Sequence, residues 1–172
     1  AVADQVWTAT SATLSDFQAA GGGKFESKLL QVIDEKANNT AGGTSVSGSY
    51  AARDLYTVVT NEITGASVAS DQITLPAGTY FIQAFCPAYI VAENQALLYN
   101  VTDTSNVLIG FNSSANSPGS STLWIIGRFT IDAEKIFEVR HRCNLARSTN
   151  GWGTVCNYGE VEHYTQCSIW QM

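Results

Sequence analysis

From residue 80 the chain alternates with a period of two. Tyr80, Ile82, Ala84 and Cys86 fall on one side and Phe81, Gln83 and Phe85 on the other, which is the side-chain pattern of a β-strand. LPAGTY at 75 to 80 sets Pro76 and Gly78 just ahead of it, where a missing N–H and a flexible backbone mark a turn. A polar break at Glu93 to Gln95 is expected to separate this strand from a second run, ALLYNV. A sheet face open to water carries polar groups, yet the second face of the first strand carries two phenylalanines. That face is therefore expected to be covered by another subunit.

The punctuation from residue 28 onward is all β. Turn clusters at NNTAGG (38–43), GASVASD (65–71), TDTSN (102–106) and NSSANSPGSS (112–121) separate short runs rich in Val, Ile, Thr, Tyr and Phe. The strongest runs are SKLLQVI, LYTVV, GTYFIQAF, ALLYNV, TLWIIGRFTI, IFEVRHR and VEHYTQCSIW. Only LSDFQAA and FESKLLQVIDEK offer a helical period, and there are no internal repeats or heptads. Seven or more short strands in one stretch predict an all-β domain of two packed sheets over 28–172.

Residues 1–27 differ in kind. TATSATLSDFQAAGGGK is small and polar and ends in three glycines, a composition that fits a flexible terminus. Trp7, Leu14 and Phe17 are large apolar groups that a solvated tail seldom carries, and they fit an arm that docks on a neighbour. Both readings stand on the sequence.

Several strings carry a family resemblance. LPAGTYFIQAFCPAY, QALLYNVTD, IFEVRHRC at 136–143 and GEVEHYTQCSIW at 159–170, preceded by IDEKANNTAGGTSVSGSYAARDLYT at 33–57, resemble a domain of tailed-bacteriophage virion proteins. That domain looks like the trimeric jelly rolls of the C1q and tumour-necrosis-factor type. The resemblance implies a two-sheet jelly roll and a homotrimer whose flat inner sheets face the threefold axis. On that footing Phe81, Phe85, Tyr164 and Trp170 are the expected trimer-interface residues, with Trp7, Leu14 and Phe17 anchoring the arm. It further implies a virion-surface protein made in the host cytoplasm. The first expectation is a capsid decoration protein held on the major capsid protein or another virion protein. The alternative is the tip of a tail fibre that recognises a host glycan or protein receptor, and the lack of a long shaft in the chain favours decoration.

Composition narrows the field. The chain has 172 residues, of which 45% are hydrophobic but only 14% charged, against roughly 25% charged in ordinary soluble domains. One domain with a sizeable core fits this length, with Ser, Thr, Asn and Gly supplying an uncharged, wet surface. A net charge of −6 and an isoelectric point near 4.7 leave no basic stripe to neutralise phosphates, so nucleic acid is not an expected partner. No run of about 20 apolar residues suggests membrane insertion. The first residues lack the basic start and apolar core of a signal peptide, and the opening Ala fits removal of an initiator Met, so a complete, non-secreted product is expected.

Candidate chemistry is sparse. His141 and Cys143 share one strand face and His163 and Cys167 another, so pairing of those strands would make a tetrahedral zinc site conceivable. No C-x-x-C turn accompanies them, and no metal or cofactor is expected. There is no G-x-S-x-G or H-E-x-x-H, GGGK and AGG lack the phosphate-loop spacing, and Asp132, Glu134, Glu138, Glu160 and Glu162 sit at turns or on strand faces. An enzyme is not expected. Asn-x-Ser/Thr triplets begin at Asn38, Asn100 and Asn112 and are read as accidents of composition. Of four cysteines, Cys143 and Cys156 flank a 12-residue loop whose closure by a disulfide would stabilise by roughly 3 kcal/mol. Cys86 and Cys167 are expected to be buried thiols or links to a neighbour.

Overall fold

The computed structural model describes residues 27–172; the arm residues Trp7, Leu14 and Phe17 lie outside the described residues. Among the described residues eleven strands run in chain order: β1 Lys28–Lys36, β2 Ala51–Ala52, β3 Thr57–Asn61, β4 Ser67–Ala69, β5 Gln72–Leu75, β6 Gly78–Tyr89, β7 Ala92–Asn100, β8 Ser105–Ala115, β9 Ser120–Ile131, β10 Lys135–Cys143 and β11 Glu162–Gln171. The first sheet has the order β3-β1-β11-β6-β9 and the second β4-β5-β10-β7-β8, with β2 pairing β10. Every strand pair is antiparallel. The two sheets make an all-β jelly-roll sandwich, as the strand count predicts.

The period of two does the folding. Tyr80, Ile82, Ala84 and Cys86 of β6 enter the core beside Leu30 and Val32 of β1, Cys167 and Ile169 of β11 and Leu123 and Ile125 of β9. The facing sheet contributes Ile73, Leu75, Ala96, Leu98, Phe137 and Val139. Tyr80 and Phe129 stack at 5.5 Å between ring centroids, and Phe129 meets Phe137 at 5.4 Å, so aromatic rings tie the sheets together across the gap.

The structure corrects three expectations about elements. The break between β6 and β7 falls at Ile90 and Val91, where Ile90 and Ala92 take φ of 49° and 59°, and Glu93 to Gln95 lie inside β7. Those polar residues are held in the sheet because Asn94 is hydrogen-bonded beneath it and Glu93 and Gln95 point outward. The strand β8, unread between two turn clusters, pairs with β7 along most of its length. The segment at 65–71, read as a turn, contains the short strand β4, and the unread β5 follows directly after it.

At one edge the sandwich closes on itself. The strands β8 and β9 belong to different sheets yet meet side by side: a Cβ on Gly110 would lie 2.6 Å from the Trp124 carbonyl oxygen and 2.8 Å from that of Ala96. Only glycine permits that approach. The closed edge brings the outward side chains of β8 next to those of β9.

Candidate functional site: an aromatic sheet face and a polar cleft

The register of the first sheet lays its outward residues in rows. Leu29, Trp170, Phe81 and Arg128 stand opposite one another in sequence across β1, β11, β6 and β9; the next row is Gln31, Ser168, Gln83 and Ile126, and the third is Ile33, Gln166, Phe85 and Trp124. Cross-strand neighbours on one face touch. Phe81 and Trp170 lie 6.0 Å apart between centroids, and Phe85 meets Trp124 edge-on at 4.6 Å. Trp124 and Ile126 remain 41% and 42% exposed, and Ile109 and Phe111 of the adjoining β8 are 65% and 66% exposed. The aromatic face therefore runs on around the closed edge.

Of the four expected interface residues, three lie together on this face: Phe81, Phe85 and Trp170. Tyr164 shares their side of the sheet but is already covered by its own chain. Its ring packs where Cβ atoms on Gly42 and Gly153 would stand, and its hydroxyl donates to the Thr40 carbonyl at 2.8 Å. Burial and the neighbouring Glu162 push its hydroxyl up to about 12. Leu29, Trp124, Ile126, Ile109 and Phe111, which the sequence reading did not name, lie on or beside the same face, while Ile33 is as well covered as Tyr164; the alternation of TLWIIGRFTI placed Trp124 and Ile126 on one face, and that signal was available.

The cysteines correct a second expectation, because all four are free thiols. Cys143 is buried in a small cluster with Ala88, Val91, Ala115 and Trp152, its Sγ 3.3 Å from the Val46 and Leu145 carbonyl oxygens. Cys156 is exposed, with its N–H donating to Glu162, so the two are not joined. Cys86 and Cys167 are buried thiols, and burial pushes Cys86 up to about 11 and Cys167 still higher. The histidine and cysteine pairs do not meet either: β10 and β11 belong to different sheets. His163 pairs at the surface with Glu35 at 2.9 Å.

His141 has another role. Arg53, 1% exposed, donates to the Thr165 hydroxyl at 2.8 Å, the Pro87 carbonyl at 3.0 Å and the Trp152 carbonyl at 3.1 Å, and it reaches His141 Nδ1 at 3.2 Å. A guanidinium only donates, so Nδ1 accepts and the ring proton sits on Nε2. Nε2 then donates to Asn94 Oδ1 at 3.1 Å. Burial, and secondarily the Arg53 charge, hold His141 down to about 2, so the ring is neutral. Trp152 stacks on the imidazole at 4.4 Å and under the guanidinium at 4.7 Å. Both halves of the sandwich and the loop at 152 are pinned to one buried cation.

Above Asn94 the outer face of the second sheet carries a cleft of about 430 Å3, lined by Tyr50, Glu93, Asn94, Gln95, Asn112, Ser113, Arg142 and Asn144. The sequence marks Asn112 only as the start of an Asn-x-Ser/Thr triplet and Glu93 to Gln95 only as a polar break, and no motif joins them to the other residues of the cleft. They come from β7, β8, the end of β10 and the loop before β2, and only the register brings them together.

No protein-family model matches the chain, and no curated protein matches it in sequence. Solved structures match the fold. Murine APRIL at pH 5.0 superposes with a TM-score of 0.57 and 11% identity, over 86% of this chain and all of that one. The globular domain of the zebrafish complement 1qA protein superposes with a TM-score of 0.54 and 9% identity, over 86% of this chain and 98% of that one. The sandwich is a jelly roll of the C1q and tumour-necrosis-factor type, and at such identities the likeness is one of fold.

Proposed function

We propose that the chain is a non-enzymatic structural protein that assembles as a homotrimer through the outer face of its first sheet. We propose further that it decorates the surface of a tailed-phage particle, after synthesis in the host cytoplasm. The observation that carries the assembly is the set of cross-strand rows that hold Trp170, Phe81, Phe85 and Trp124, continuous with Ile109 and Phe111 around the β8–β9 edge. A solvated sheet face does not concentrate aromatics in this way. The face and the edge are different surfaces, so packing one against the other is head-to-tail, and a threefold rotation between copies closes it as a ring. At about 25 cal/mol per Å2 of apolar surface, withdrawing these rings from water contributes several kcal/mol per contact before the costs of association. Gln31, Gln83 and Gln166 lie between the rings, where their amides supply direction to an otherwise greasy contact.

The virion placement rests on the sequence resemblance to tailed-phage virion domains and on residues 1–27, whose Trp7, Leu14 and Phe17 suit an anchor to the major capsid protein or another virion protein. Imaging of native particles tests it. Density for the trimer over the icosahedral shell supports decoration; density confined to tail appendages overturns it in favour of a receptor-binding fibre tip. The polar cleft on the second sheet favours that second reading, because it offers a ligand site outside the aromatic face of the first sheet.

A further inference from the structure

We propose that the cleft on the outer face of the second sheet is a binding site for a neutral, hydroxyl-rich ligand: a short oligosaccharide. Two cross-strand rows build its floor. Arg142, Gln95 and Asn112 stand side by side on β10, β7 and β8, and Asn144, Glu93 and Ser114 form the next row along the same strands. Backbones fixed to three adjacent strands keep their spacing without a ligand, so the backbone part of the ordering cost of binding is already met.

The hydrogen bonds inside the cleft orient its polar heads. Tyr50 donates to Gln95 Oε1 at 2.7 Å, and Gln95 Nε2 donates in turn to Asn112 Oδ1. That relay leaves Asn112 Nδ2 as a donor with no partner among the described residues. Asn144 Nδ2 donates to Glu93 Oε2 at 3.0 Å. The Glu93 backbone N–H and the Asn144 amide hold the Glu93 carboxyl below its usual range, so it stays an acceptor at neutral pH. Arg142 forms no ion pair with a described residue, and its guanidinium is a further set of donors. Beneath them Asn94 is clamped by His141 Nε2 and by its own donation to the Ala92 carbonyl at 2.9 Å, which ties the cleft floor to the buried Arg53.

Charge and polarity select the ligand class. The lining holds one cation, Arg142, and one anion, Glu93, so the site has no net charge with which to favour a phosphate, a sulfate or an acidic sugar. It has no aliphatic wall, whereas sites for drug-like apolar molecules are mostly hydrophobic. Alternating donors and acceptors match vicinal hydroxyls, each of which donates and accepts at once. A volume of about 430 Å3 accommodates a short saccharide. Binding here is independent of where the trimer is carried, since the cleft is complete within one chain.

Saturation-transfer NMR of the purified protein with lactose, maltotriose and tri-N-acetylchitotriose, with sialyllactose as the anionic comparison, tests it. At least one neutral saccharide is expected to bind. Arg142→Ala and Asn112→Ala, both at exposed positions and checked for an unchanged Tm, are each expected to weaken it about tenfold; Tyr158→Ser, at an exposed residue outside the cleft, leaves it unchanged. The proposal is overturned if none of the neutral saccharides binds at millimolar concentration, if only sialyllactose binds, or if the two cleft substitutions have no effect.

Discussion

Arg53 is the residue on which most of the interior polar chemistry depends. Replacing it with Ala strands the Pro87 and Trp152 carbonyls, the Thr165 hydroxyl and His141 Nδ1 in a dry interior, at about 1–3 kcal/mol per buried group left unpaired. We expect Arg53→Ala to destabilise by about 3 kcal/mol or more in urea unfolding. His141 gives a pH signature. It stays neutral in the fold down to about 2, whereas in the unfolded chain it takes up a proton near its ordinary value of about 6.5. Below that pH the unfolded chain binds more protons, so His141 contributes stability that is lost on acidification, by up to about 1.4 kcal/mol per pH unit. Asp34, which burial raises above its usual value, works in the opposite direction. The expected result is that the slope of stability between about pH 6.5 and pH 5 is flatter in His141→Gln than in the parent. The thiols give a third readout at this scale: in the folded protein Cys156 alone is expected to react promptly with a thiol reagent, with Cys86, Cys143 and Cys167 reacting only on unfolding.

Among the elements, two close approaches carry the arrangement. Gly110 lets β8 lie against β9, and Gly153, at a φ of 140°, lets the loop before β11 cover the Tyr164 ring. A methyl group at either position meets backbone oxygens or the aromatic ring. Gly110→Ala is expected to cost about 2 kcal/mol or more in thermal unfolding, through strain and a displaced edge. The strands β6, β9, β10 and β11 were legible because their alternation is strong and one face is largely apolar, and the shared face of Phe81, Phe85 and Trp170 followed from it. The β8 strand was not legible. Its Gly110 and its Asn- and Ser-rich end read as turn chemistry, and the reason for a glycine there lies in a neighbour from the other sheet. Tyr164 was misassigned for a related cause: strand parity gives the side of the sheet, while cover by the chain's own 40–43 and 152–153 segments is a tertiary fact. The cleft was invisible because Tyr50, Gln95, Asn112 and Arg142 are far apart in sequence and meet only through register.

For the molecule as a whole, the two sheets have opposite outward faces. The first presents aromatic and aliphatic side chains that run onto the β8–β9 edge, and the second presents the polar cleft; we assign assembly to the former and recognition to the latter. In the assembly we propose, the first face is buried between copies. Light scattering coupled to size-exclusion chromatography, at micromolar concentration, addresses it most directly. The expected mass is near three times that of the 18.5 kDa chain, falling to that of one chain when Phe85 and Trp124 are both replaced by Asp. A well-folded parent protein that elutes with the mass of a single chain would contradict it.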